Sequence, residues 1–129
     1  MIRSLALAVL CLLLLTTAAE ARCYDAHVNS VYDGDTFRAD VDLGFSLTLA
    51  NQRVRILEID APEIRPLATR TEAERVRDIL IERIGDRTVV ICTEAREFDS
   101  FGRILAYVFL DGVDIGRWLL EEGLVEPYQ

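Results

Sequence analysis

Hydrophobic and polar residues alternate over Thr36–Leu43: Phe37, Ala39, Val41 and Leu43 are apolar, while Thr36, Arg38, Asp40 and Asp42 are polar. A period of two predicts a strand with one buried face. The preceding stretch, Val31-Tyr32-Asp33-Gly34-Asp35-Thr36-Phe37, predicts a hairpin turn at Asp33-Gly34 between two strand-like runs. Gly44 breaks the alternation, Ser46–Ala50 resumes it, and Gln52–Asp60 is a third run. Pro62 ends that run, because proline cannot donate to a ladder. The period then changes. Thr71 with Glu74 predicts a capping box, Val76, Leu80 and Ile84 follow at helical spacing, and Gly85 stops the helix. Arg87–Glu94 reads as a fourth strand and Phe101–Leu110 as a fifth, closed by an Asp111-Gly112 turn. Asp114 caps a short helix over Ile115–Glu122, Gly123 ends it, and Leu124 is placed to pack back on it.

The predicted order is β-β-β-α-β-β-α. That is a mainly β, α+β layout, and five short strands with a helix between the third and fourth match the five-stranded OB-fold barrel. This barrel commonly binds oligonucleotides, but a fold alone does not give a function. No internal repeat or low-complexity linker divides the sequence.

Composition changes the picture at the N-terminus. Arg3, the apolar run Leu5–Leu15 and the closing Ala19-Glu20-Ala21 have the three-part layout of a secretory signal peptide. The expectation is a leader over residues 1–21, a single domain over residues 22–129, and a secreted or periplasmic location. The alternative is an uncleaved anchor, since Ile2–Ala19 is nearly long enough to span a bilayer. Cleavage would leave about 108 residues, enough for one small domain. It would also leave the net charge at −8, since Arg3 and Glu20 depart together. Cys23 and Cys92 would remain, and an even count in an exported domain suggests one disulfide, with two free thiols as the alternative. With no CxxC and one His, a zinc site is not expected. There is no Lys, so every formal cation is Arg, whose planar fork suits phosphate and carboxylate. The acidic balance argues against a protein that coats nucleic acid through a basic face.

Several polar groups exceed what these elements need. They are Asp35 after the turn; Asp60 and Glu63 around Pro62; Arg55 within a strand of core residues; and Arg103 after Gly102. Singly, each has a structural reading: a turn acid, a barrel-rim ion pair of Arg55 with Glu58, an edge cation. Together they make a chemical set. Carboxylates at strand and turn ends, with a backbone carbonyl, suit a hard divalent cation in an open site. Two Arg can hold a phosphate and neutralise charge that builds on it. A remaining carboxylate can orient or deprotonate water. That is a constellation for phosphodiester hydrolysis.

The segments Asp33–Thr36 (DGDT), Arg55–Glu63 (RILEIDAPE) and Asp99–Phe109 (DSFGRILAYVF) resemble the three signature segments of the staphylococcal nuclease (thermonuclease) family. Their order, their approximate spacing and the helix between the second and third also match. The resemblance runs from about Cys23 to Leu124. It implies a calcium-dependent OB-fold nuclease that cleaves DNA and RNA and leaves 3′-phosphates. It further implies that Asp35 and Asp60 bind Ca²⁺ by their side chains and Ala61 by its carbonyl, where the family often has Thr. Glu63 falls on the general base, and Arg55 and Arg103 on the two phosphate-binding arginines. This sequence departs from the pattern at Ser100-Phe101, where a Lys-Tyr pair is frequent, in a short loop after Glu63, and in stopping at Gln129 where longer members continue. Tyr128 lies near where the family places substrate-contacting tyrosines.

The expected partner is nucleic acid, with single strands or short chains preferred. The domain is expected to act as a monomer with no stable protein partner, and to meet a membrane only through an uncleaved leader. The alternative of another class is a non-catalytic OB-fold nucleic-acid-binding module.

Overall fold

A computed structural model describes residues 21–129. The expected leader lies outside them, Ala21 excepted. Strands β1 (Arg22–Asp33), β2 (Thr36–Gly44) and β3 (Leu47–Ile56) form an antiparallel meander, followed by the short β4 (Ile59–Asp60) and helix α1 (Leu67–Ile84). Then come β5 (Thr88–Thr93), β6 (Ile104–Leu110), β7 (Val113–Asp114), helix α2 (Ile115–Glu121) and β8 (Glu126–Pro127). The main sheet runs β3-β2-β1-β5-β6-β7. Parallel pairing of Val54–Ile56 with Ile104–Ala106 closes it into a five-stranded ring. This is the OB-like barrel expected from the sequence.

The strand count holds but the membership differs. The twelve-residue β1 is a barrel strand, and Ser46–Ala50 and Gln52–Asp60 are not two strands but contribute to the single β3. The division seen in the sequence is a β-bulge. Ala39 pairs with Gln52 and Val41 with Leu49, so two residues oppose one at Asp40. Asn51 takes φ 53° there, a conformation Asn tolerates better than most residues. The Asp40 carboxylate holds the bulge, accepting from Asn51 N at 2.7 Å and from Asn29 Nδ2 of β1 at 2.9 Å. One acid therefore ties three strands together.

Helix α1 begins four residues before the predicted capping box. Pro66 is its N-cap and no side chain caps it. Pro66 is itself extended (φ −76°, ψ 173°), and the helix starts at the residue after it. The Thr69 hydroxyl donates to the Glu63 and Pro66 carbonyls, stitching the preceding loop to the first turn. Thr71, Glu72 and Glu74 lie inside the helix, and Glu72 and Glu74 pair with Arg75 and Arg70. Ala73, Val76, Leu80 and Ile84 are its buried stripe, and Val76, Leu80 and Ile84 join the core with Ala26, Val28 and Phe37. Asp114 caps α2 as predicted, accepting from Arg117 N at 3.1 Å. Gly123 (φ 68°) ends it, and Leu124 N donates back to Leu119 O at 3.0 Å.

Cys23 and Cys92 face each other across β1 and β5 and form a disulfide, with their Cα atoms 4.1 Å apart. The free-thiol alternative is thereby set aside.

Candidate active site

Asp33 pairs with Thr36, so the central residues of the β1–β2 turn are Gly34 and Asp35 rather than Asp33 and Gly34. Neither central residue has a positive φ. Gly34 is needed here for space. A Cβ on it would lie 2.5 Å from Val76 Cγ1 and 2.9 Å from the Ala61 Cβ. The turn is thus pressed against α1 and the chain after β4, and this close approach sets Asp35 in place.

Asp35 is buried, at 6% exposure. Its Oδ1 accepts from the Thr36 hydroxyl at 2.8 Å, and its Oδ2 from Ala61 N at 2.9 Å. Its own carbonyl accepts from Ile56 N at 2.8 Å, fastening the turn to the end of β3. Arg55 Nη2 lies 3.5 Å from Asp35 Oδ2 and 3.6 Å from Asp60 Oδ1. Its Nη1 donates to the Ile56 carbonyl at 2.6 Å. One guanidinium therefore bridges two carboxylates that are 25 residues apart in sequence. Glu58 is not its partner, as the rim-pair reading expected. Glu58 sits at φ 66° and accepts from the Tyr107 hydroxyl at 2.8 Å.

The carboxylates outnumber the cation. Asp33 accepts from Asp35 N at 3.1 Å. Burial, then the charge of Asp35 beside it, pushes the Asp33 carboxyl up to about 7. Negative charge is in excess at this end of the barrel, which suits a hard cation. Asp35, Asp60 and the Ala61 main chain supply oxygen donors of the kind such a cation takes. Among the described residues no three His, Cys, Asp or Glu side chains form a metal-holding cluster. The donor set is compatible with an open site of two side-chain ligands, the remainder coming from main chain, water and substrate.

Arg103 enters from the other side of the β3–β6 seam. Asp99 Oδ2 accepts from its Nε at 2.6 Å, and Asp99 Oδ1 accepts from Arg103 N at 3.0 Å and Phe101 N at 2.9 Å. Burial raises the Asp99 carboxyl, but these hydrogen bonds outweigh it and hold the carboxyl below its ordinary range. The Arg103 guanidinium lies 5.4 Å from the centre of the Phe101 ring. Arg55, Arg103, Phe101 and Tyr128 line one groove of about 440 Å³. Tyr128 reaches it because β8 pairs with β4, with Asp60 opposite Glu126, and Tyr128 N donates to Glu58 O at 2.9 Å. Its ring centre is 5.9 Å from the Arg55 guanidinium.

The structure thus brings together Asp35, Asp60, Ala61 and Arg55, and sets Arg103 in the groove that Arg55 lines. Glu63 lies two residues beyond Ala61, exposed in the loop before α1, and is engaged through its carbonyl; like Asp35, Asp60 and Ala61 it is not among the residues that line the groove. Sequence reading missed Asp99, the partner of Arg103, although Asp-x-x-x-Arg spacing within DSFGR signals such a pair. It also missed Thr36, whose hydroxyl follows Asp35 directly.

An acidic turn and a groove holding two arginines and two exposed aromatic rings, on a closed five-stranded barrel, define an OB-fold-like protein. The staphylococcal nuclease homologue family model matches residues 53–129, and the chain belongs to that family. The match includes Arg55, Asp60, Glu63 and Arg103; Asp35 precedes it and is tied to it by the contacts above. No curated protein matches the chain.

Proposed function

We propose that the protein is an exported, calcium-dependent nuclease that hydrolyses phosphodiester bonds of DNA or RNA and leaves 3′-phosphates. The observation that carries the reading is Arg55, which bridges Asp35 and Asp60 and also lines a groove with Arg103, in a member of a nuclease family. Asp35, Asp60 and the Ala61 carbonyl would hold Ca²⁺. When bound, the ion supplies a Lewis acid that polarises the scissile phosphate. Arg55 and Arg103 hold the phosphate oxygens and offset the charge that develops on them. Asp99 keeps the Arg103 guanidinium oriented. Phe101 and Tyr128, both exposed at the groove, offer faces on which bases of a flexible strand stack. Glu63, in the loop between β4 and α1, is the base that takes the proton of the attacking water as the P–O5′ bond breaks, and the departing 5′-oxygen takes up a proton from solvent.

A second reading, a binding module without catalysis, draws on the groove itself, where two arginines and two exposed aromatic rings suffice to hold a strand. Product analysis separates the two. Full-length protein incubated with denatured DNA and Ca²⁺ should release fragments whose 3′ ends resist polymerase extension until a phosphatase is added. Binding without fragments would favour the module.

A further inference from the structure

We infer, taking the ligand class from the nuclease reading, that Arg38 and Arg53 form a second phosphate-binding subsite, which holds the backbone of a single nucleic-acid strand beyond the groove. Arg38 of β2 and Arg53 of β3 are direct partners across the antiparallel pair. Both are exposed on the outer face of the barrel, since their neighbours Phe37, Ala39 and Val54 point into the core. Directly opposite residues have Cβ atoms about 5 Å apart, and like charges so placed are destabilising. An acid beside them would remove that cost. Among the described residues neither arginine forms an ion pair, although the chain has 22 acids against 14 cations. Asp40, two residues along β2 on the same face, is turned instead to Asn51 N and Asn29. Folding leaves two cations facing each other without a counter-charge, and an anionic ligand is what relieves them.

The placement joins this pair to the groove. Arg53 Nη2 donates to the Phe101 carbonyl across the β3–β6 seam. Phe101 carries the exposed ring beside Arg103. Arg55, which lines the groove, lies two residues along β3 from Arg53 on the same face, about 7 Å by strand rise. Arg55, Arg53 and Arg38 are therefore a series of cations leading out of the groove and across onto β2. Each outer guanidinium is fixed by one main-chain acceptor, Arg38 Nη1 by Asn51 O at 3.1 Å and Arg53 Nη2 by Phe101 O. The remaining N–H groups of each fork are free to meet phosphate oxygens. Phosphate contacts of this kind position a strand without reading its sequence.

The test reads binding, apart from cleavage. The full chain is titrated in excess chelator against a fluorescein-labelled oligothymidine of about eight nucleotides, long enough to leave the groove. Anisotropy is followed above about 0.15 M salt, where long-range repulsion is screened. Arg38→Gln with Arg53→Gln should weaken binding by about tenfold. Wild-type log affinity should also fall with log salt more steeply than the double variant's, by about 1.4, for two single-strand phosphate contacts at about 0.7 each. A control, Arg75→Gln with Arg117→Gln, removes the same charge from exposed positions outside the groove lining and should stay within about twofold of wild type. Without ligand, Arg38→Gln should hold or raise Tm, because it relieves a like-charge contact. The subsite is refuted if the wild type binds no strand, if the salt slope of the double variant equals wild type, or if the control loses as much affinity. A fall of several degrees in Tm for Arg38→Gln would also refute it, showing a pair that folding needs. Cleavage with an unchanged slope keeps the nuclease and removes the subsite; the slope change in a chain that binds and never cleaves keeps the subsite and removes the nuclease.

Discussion

Arg55 is the residue on which fold and chemistry meet. Its side chain is 12% exposed and that of Asp35 9%, so removing the cation strands a buried carboxylate. Asp35 keeps its bonds to Thr36 and Ala61, which holds the loss below the full cost of an unpaired buried charge. Arg55→Gln is expected to destabilise the fold by about 1–3 kcal/mol, read from urea unfolding. It should also lower cleavage far more than that stability loss explains. An unchanged midpoint would show that the bridge does not form in solution. Gly34→Ala tests the other anchor of the turn. Its Cβ meets Val76 and Ala61, neither of which can move without disturbing the core. The expected loss is about 1–3 kcal/mol. A neutral result would mean that the turn is not pressed against α1. Asp35 stood out in the sequence because it is one carboxylate more than a turn needs, and it is buried and paired with Arg55. The role of Gly34 was not legible. Its neighbours come from residues 27 and 42 positions away, and local turn chemistry offers a sufficient but different reason for a glycine.

Among the elements, periodicity revealed α1's buried stripe, the α2 cap and the last strand, because each rests on neighbours a few residues apart. It divided β3 wrongly and left β1 out of the strands it delimited, for physical reasons. The β3 bulge is held by Asp40 from across the sheet, and β1 alternates imperfectly because it carries its own bulges between Val28 and Ser30 and between Val31 and Asp33. The helix start was misplaced because Thr71 and Glu74 fit a capping box, while the helix starts directly after Pro66, which lies five residues before Thr71. The Asp40 clasp gives a pH prediction. The backbone hydrogen bond from Asn51, then the side-chain bond from Asn29, holds its carboxyl below the ordinary value. A depressed folded pKa contributes stability that is present above the unfolded pKa of about 4 and lost as pH falls through the folded one. Asp40→Asn should therefore lower Tm at neutral pH and narrow the gap to wild type as the pH drops from about 5 towards 2. A gap that stays constant across that range would contradict the clasp.

For the whole molecule, the net charge of −8 sets the terms of encounter with a polyanion. Helix α1 carries four acids against four arginines, with three of the acids paired to Arg70, Arg75 and Arg77, so the excess negative charge lies on the rest of the molecule. The unpaired remainder repels substrate at long range. Raising ionic strength from about 0.01 M to 0.15 M shortens the screening length from about 30 Å to 8 Å. kcat/KM on denatured DNA should rise over that interval, opposite to the trend for a basic nuclease. A steady fall would show that local arginine contacts govern encounter instead. The barrel was foreseeable from the order of strands and helices. The pairing of Arg55 with Asp35 and Asp60 was not, because Glu58 offered a partner nearer in sequence and the contact depends on the β1–β2 turn reaching the end of β3.

The central claim is that this site hydrolyses phosphodiesters with a divalent ion and with Glu63 as base. The most direct measurement is the rate at which the full chain cleaves denatured DNA in Ca²⁺, in excess chelator, and in Ca²⁺ with Glu63→Gln. The account predicts cleavage in Ca²⁺, none in chelator, and a loss of about 10²–10⁴-fold on substitution. Cleavage that persists in chelator, or a Glu63→Gln rate equal to wild type, would contradict it.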